Sequence, residues 1–460
     1  MNSFEIRATW SLASLFALRM LGLFMILPVF AIYGQDLEGA TPTLIGLAIG
    51  AYGLTQAFLQ IPFGLLSDRI GRKPVIVGGL LIFLLGSIVA AEADSIYGVI
   101  AGRALQGAGA IASAVMALLA DLTRDDQRAK AMDMVGASIG MSFALALIAG
   151  PVLSGWFQLE GLFIFTAILA GFGVALTLWV VPTPDARRVL RDTRPMFDHL
   201  SDVLKNPSLQ RLDFGVFSLH MVLTAMFVVM PGWLLNHAHV DKDHHWMVYL
   251  PILFLSFVLM LPLMIVAEKA RKIKQVFTLA VALLGLSLFG LSQWHENIWA
   301  IACGLFVFFW GFNLLEALLP SLVSKIAAPG FKGTSMGVYS TCQFLGAFTG
   351  GAGGGWLLGH YGDSAVYMVG AAFIAIWFLL AMSMRQPPYL QSVTLPLKDE
   401  GELDAGVWVS RLMGVTGVEE AIVVKEERAA YLKVDNARLD REQLMRLSHQ
   451  PSLQSQAEPA

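Results

Sequence analysis

Charge is what this chain has least of. Asp, Glu, Lys and Arg make up 14% of its 460 residues, where soluble domains carry roughly 25%. Hydrophobic residues reach 56%, more than a water-soluble fold of this size could cover, which excludes a soluble protein. Cysteine is nearly absent. Cys303 and Cys342 lie in apolar segments far from any Cys-x-x-Cys spacing, so neither a disulfide framework nor a thiolate metal site is indicated. The net charge of −3 excludes a polycationic nucleic-acid binder. No Gly-x-x-x-x-Gly-Lys-Ser/Thr segment occurs, so ATP is not the driving force. No nucleophile–base pair or metal triad points to an enzyme, and no cofactor or metal is expected.

What the chain does have is long apolar runs. A spanning helix needs about 20 such residues, and twelve candidates fall at roughly 10–33, 43–66, 75–92, 97–120, 132–156, 160–181, 212–236, 246–267, 276–292, 298–323, 335–358 and 363–384. Met1–Trp10 leads into the first with no small-residue cleavage site, so it reads as an uncleaved span. The loops after the even-numbered spans hold 18 Lys and Arg, among them Arg69, Arg72, Lys73, Arg124, Arg187, Arg188, Arg191 and Arg194; the odd-numbered loops hold Lys242 alone. That asymmetry places the even loops and both termini in the cytoplasm.

The body repeats itself. Phe16–Met20 is echoed by Phe217–Met221, Ala117–Leu122 by Ala317–Leu322, and Gly155-Trp156 by Gly355-Trp356, at offsets of 200–201. The expected organisation is a six-helix bundle over 1–181, a cytoplasmic linker over 182–211, a second bundle over 212–386 and a small cytoplasmic domain over 387–460. Pro387-Pro388 marks the last boundary. In the tail, Ser392–Leu397 predicts a strand, Leu403–Met413 a helix, Val418–Val424 with Ala429–Val434 a hairpin, and Asp440–Leu447 a capped helix. The order β-α-β-β-α is that of a ferredoxin-like domain without an obvious last strand. A polar, frayed end follows from Ser448.

Gly64-Leu-Leu-Ser-Asp68-Arg69-Ile-Gly71-Arg72-Lys73 resembles the signature between spans two and three of the major facilitator superfamily, and Arg103-Ala-Leu-Gln106-Gly107-Ala-Gly109 its span-four motif. With the tail, the chain is most similar to the YajR-type bacterial transporters. The resemblance implies an all-α body of two six-helix repeats in a bacterial inner membrane, carrying a small molecule and protons by alternating access. It also implies that Asp68 faces the start of span eleven near Gly333–Ser335 and that Arg72 pairs with Asp121. Gly64, Asp68, Arg69, Gly71, Arg72, Lys73 and Asp121 are then a gate, not a substrate site. For Arg69 and Lys73 the plainer reading is topological.

Charges within the spans are functional candidates by default. These are Arg19, Arg103, His220 and Glu316. Arg19 and Glu316 both lie on the order of 10–14 Å from the basic edge at 1.5 Å per residue, so a cross-cavity ion pair is geometrically possible, either as a proton site or as a static lock. His220 occupies the repeat position of Arg19 and titrates near neutrality unless packed. Arg103 matches the motif associated with proton coupling. Gly150, Pro151 and Gly155 resemble the antiporter signature of span five, with Ala137, Ala146 and Ser154 replacing expected glycines; small residues there permit close helix packing, as do Gly350–Gly355. His237, His239, Asp241, Asp243, His244 and His245 crowd one outer loop without matching a defined metal site, so a solvated loop is expected. In the tail, Arg411, Lys425, Arg428 and Lys433 are available for anions, or the domain serves regulation or self-association. The function expected is proton-driven efflux, with a membrane sensor whose tail reports ligand binding as the alternative.

Overall fold

The computed structural model describes residues 1–183, 200–327, 332–384, 386, 391–397, 404–424, 428–435 and 438–449. Arg187, Arg188, Arg191, Arg194, Pro387-Pro388, Leu403, Lys425 and the polar end after His449 lie outside them. In hydrocarbon every backbone amide needs a partner within the protein, which selects helices. Nine helices or helix pairs among the described residues are long and apolar enough to cross a membrane. One of them carries two spans: α7 (Asp125–Trp179) breaks at Gln158, whose φ of 56° is non-helical. The helices α1 (Ser3–Phe24) and α13 (Lys332–Tyr361) occupy spans one and eleven.

The remaining spans are α3 (Pro42–Ile70), α4 (Arg72–Ala91), α5 and α6 (Ile96–Ala108, Ala112–Leu122) together as span four, α9 (Pro207–Asn236), α10 (Trp246–Lys269), α11 (Ile273–Gln293), α12 (Ile298–Ile326) and α14 (Asp363–Met382). The short α2 (Phe30–Tyr33) closes span one. The end of the expected linker is helical, as α8 (Leu200–Lys205). Start signals are local: Thr41 caps α3 through the Leu44 amide at 3.2 Å, with Pro42 in the first turn. Trp156, Trp179, Trp294 and Trp299, all near span ends, are exposed, the placement that a membrane–water interface favours.

The chain divides into two compact units. The first takes in described parts of 1–190, 211–319 and 337–384, and so contains most of both six-helix repeats. A core of Leu12, Phe16, Leu80, Phe83, Leu118 and Leu119 joins spans one, three and four. Spans two and eleven approach backbone to backbone. A Cβ added to Gly50 would lie 2.8 Å from the Phe348 carbonyl oxygen, one on Gly53 would lie 2.6 Å from that of Phe344, and Gly46 meets Gly351 and Gly355. No side chain fits between them.

The second unit takes in described parts of 191–210, 320–336 and 385–460. Its sheet is β1 (Gln391–Pro396), β2 (Val418–Val424) and β3 (Ala429–Val434) in the order β1-β3-β2, antiparallel throughout. The helices α15 (Ala405–Met413) and α16 (Arg441–His449) complete it. Trp408 and Leu412 of α15 are buried with Leu395, Ala430, Leu432, Val434 and Leu444. Asp440 caps α16 at the Gln443 amide, 2.9 Å. Lys433 is buried and bonds to Glu420 at 3.2 Å and to the Ile326 carbonyl oxygen at 3.3 Å. A lysine is well placed there, because the last carbonyls of a helix lack donors and carry partial negative charge.

In the histidine-rich loop His239, Asp241, Asp243 and His244 are exposed as expected, and one residue departs from the solvated reading. His245 is fully buried and bonds to the Val240 carbonyl at 3.1 Å. Burial pushes its imidazole down to about 4, so it is neutral at pH 7. The unfolded chain takes up this proton near pH 6.5 while the fold resists it, so stability falls as pH drops from 6.5 toward 4. At pH 5 the loss from this group is about 2 kcal/mol. Melting temperatures of wild type and His245→Gln, compared at pH 7 and pH 5, check this: acidification should lower the wild type more.

Candidate functional site

Three polar clusters interrupt the apolar body. The first closes the basic ends of spans two, three and four. Gly71, at φ 98°, occupies a region that a side chain would strain, and so turns the chain directly from span two into span three. Arg72 at that turn pairs with Asp68, with Asp121 at 3.1 Å and with Ser67 Oγ at 2.7 Å. Gly64 lets span two approach Ser113 of span four, whose hydroxyl donates to the Gln60 carbonyl at 2.9 Å. Arg69 is exposed and Lys73 half-buried, both outside this network. Gly333–Ser335 belong to the second unit.

Beside it, Glu5 accepts from Arg124 Nε at 2.9 Å and from the Arg124 backbone amide at 3.1 Å. The Arg124 side chain, with help from the Asn2 amide, holds this carboxyl down to about 2. Arg124 had only a topological reading from the sequence; the structure makes it a clasp between the start of span one and the end of span four.

The second cluster is buried in the first repeat. Span four is broken between Ala108 and Ala112, and Arg19 Nη2 donates to the freed Gly109 carbonyl at 3.0 Å, to Tyr52 Oη at 2.8 Å and to Gln56 Oε1 at 2.8 Å. Arg19 Nε and Nη1 have no hydrogen-bond partner among the described residues. Arg103 donates to Gln106 at 2.8 Å and to the Ala48 and Ile49 carbonyls, and Gln106 passes the chain on to Ser87 at 2.8 Å. Both guanidinium groups lie near the Tyr52 ring, at 5.9 and 5.4 Å. Neither meets a carboxylate within ion-pair distance among the described residues.

The third cluster lies in the second repeat. His220 Nδ1 donates to the Val216 carbonyl at 3.2 Å, which leaves Nε2 as the acceptor for the Gln343 amide at 2.7 Å. Glu316 Oε2 stands 3.7 Å from that same Nε2 and has no hydrogen-bond partner among the described residues. The Arg19–Glu316 pair that equal depth allowed is not formed, and the polar neighbours of each residue lie within its own repeat. Phe312 packs edge-on to His220 at 6.1 Å and stacks on Phe143 of span five at the same distance, and Phe143 meets Phe24 of span one at 5.1 Å. An aromatic bridge thus joins the two repeats beside Glu316.

Among the glycines of span five, Gly150 meets the Met25 carbonyl of span one and Pro28. Pro151 lies within α7. Gly155 instead faces the carboxylate of Asp243 in the loop after span seven. Sequence reasoning missed Tyr52, Gln56 and Gln60, though polar residues four apart in an apolar span were signal enough. It also missed Gln343, buried Asp213 in span seven, and Asn313, which bonds to Ser256 at 3.0 Å. Single polar residues in apolar runs gave little to weigh them by. Among the described residues no group of His, Cys, Asp and Glu is arranged to hold a metal.

The three clusters set charged and polar side chains into apolar helices, with no metal-binding group among the described residues. The profile of the Major Facilitator Superfamily matches residues 12–351, and that of the YajR YAM domain matches residues 401–447. The chain is 48% identical over 432 residues to the inner membrane transport protein YajR of Escherichia coli (strain K12), covering 94% of this chain and 95% of that one. It is 27% identical over 353 residues to the multidrug resistance protein MdtH of Aeromonas salmonicida (strain A449), covering 76% and 87%. A bacterial homologue of the human lysosomal transporter Spinster, solved in an inward-facing and occupied conformation, shares the fold with a TM-score of 0.67 at 11% identity, over 83% of this chain and 97% of that one. The chain belongs to the Major Facilitator Superfamily and is a transporter, not an enzyme.

Proposed function

We propose that the protein exports a small organic molecule from the cytoplasm across a bacterial inner membrane in exchange for protons, with both termini and the basic loops cytoplasmic. Glu316 carries the reading. Its Oε2 has no hydrogen-bond partner among the described residues and stands 3.7 Å from a His220 ring nitrogen, a carboxyl beside an imidazole in an otherwise apolar span, where an ionisable group is a functional candidate. The aromatic bridge through Phe143 and Phe312 lies beside it, suiting a flat, lipophilic molecule, and similarity to the multidrug resistance protein MdtH supports multidrug-type substrates.

Arg72, tied to Asp68 and Asp121, acts as the cytoplasmic gate, since its contacts hold one loop against two span ends and can be broken by tilting them. The tail domain regulates transport. The bond from Lys433 to the Ile326 carbonyl at the end of span ten supports this, because span ten also carries Glu316.

Purified protein in sealed vesicles should accumulate ethidium or tetraphenylphosphonium when a pH gradient is imposed. A sensor would bind them without accumulation. Glu316→Gln imitates the permanently protonated form. It should keep exchange of the probe between the two sides and lose gradient-driven accumulation at least tenfold. Normal accumulation by this variant removes Glu316 from the mechanism.

Arg72→Ala and Asp68→Asn should abolish transport while the protein still expresses and melts within a few degrees of wild type, because these groups act on the equilibrium between states. Unaltered transport in both would sink the gate.

A further inference from the structure

Lys242 is the single Lys or Arg of the outer loops, and the structure seats it. Its Nζ lies 4.2 Å from the centre of the Tyr33 ring, a cation–π contact. The Tyr33 hydroxyl donates to Asp243 Oδ1 at 3.1 Å. The Asp243 carboxylate in turn rests on Gly155: a Cβ at that glycine would lie 2.8 Å from Asp243 Cγ and 2.9 Å from Oδ1. Tyr33 ends α2 after span one, and Gly155 lies in span five, both in the first repeat. Lys242 and Asp243 lie in the loop between spans seven and eight, in the second. Two adjacent side chains of one repeat are therefore clasped between two elements of the other. On the same side of the body, Gly46 of span two meets Gly355 of span eleven.

We propose that Tyr33, Gly155, Lys242 and Asp243 form the latch that closes the outer mouth of the transport path and opens once in every cycle. Gly155 then has a role distinct from helix packing, as the seat of the Asp243 carboxylate. The latch suits repeated opening. Asp243 is exposed and Lys242 half-buried, so water replaces each contact as it breaks, and no charge is left stranded in an apolar site. Static loop packing would need none of these contacts to be released. The inference rests on the orientation and alternating access proposed above but not on proton coupling.

Two experiments test it in the full chain with Cys303 and Cys342 replaced by Ser. The built Cβ of Gly155 is near enough to Asp243 for a disulfide, whose Cβ atoms stand roughly 3.5–4.5 Å apart. Gly155→Cys with Asp243→Cys should cross-link on oxidation, stop ethidium exchange, and recover on reduction. Failure to cross-link, or exchange at the uncrosslinked rate in the locked protein, overturns the latch. The second experiment needs no substrate. Ser154→Cys, at a buried position beside Tyr33, is labelled with a membrane-impermeant maleimide in right-side-out and inverted vesicles. Adding Tyr33→Phe and Asp243→Ala should raise the labelling rate at least fivefold in right-side-out vesicles. Equal rates with and without these changes in both preparations overturn the latch; acceleration confined to inverted vesicles keeps the latch and overturns the orientation.

Discussion

Hydrocarbon offers no hydrogen bonds, and the rest of this structure follows from that. Every polar group inside the body must find its partner in the protein or act as a switch. Arg19 meets the rule in part. Its guanidinium fills the gap left by the broken span four by bonding to the Gly109 carbonyl, and so makes an irregular backbone tolerable at depth. Arg103 does the same work against the Ala48 and Ile49 carbonyls of span two. Glu316 breaks the rule at Oε2, and a broken rule in an apolar span is where function is to be sought.

The second constraint is the width of the helices. Backbone contact of Gly46, Gly50 and Gly53 with span eleven leaves no side chains to interlock. Packing of this kind depends on van der Waals contact over a smooth surface. Among the described residues the side chains that cross between repeats include the aromatic pair Phe143 and Phe312 and the polar pair Tyr33 and Asp243.

Much of the candidate site was legible in the sequence. The resemblance to the family signature implied that Arg72 pairs with Asp121, and that contact is present at 3.1 Å. The pattern of the tail located its three strands and two helices to within a few residues. That Arg19 and Glu316 find different neighbours has a clear source. Counting residues from a span edge yields depth along the helix but not the direction in which a side chain points, and in runs where nearly every residue is apolar the helical period gives no azimuth. Equal depth permits contact without deciding it.

By itself the sequence determined the apolar, membrane-spanning character of the body, the order of its helices and the strands and helices of the tail, because hydropathy and alternation are read residue by residue. The partners of each buried polar group were decided only by the tertiary structure: His220 and not Arg19 beside Glu316, Glu5 against Arg124, and Asp243 seated on Gly155. Such pairs join residues 96 to 119 positions apart, or 88 in the last case, and the rotation of each helix about its own axis decides them. That rotation is set by how neighbouring helices pack, which no local stretch of sequence records.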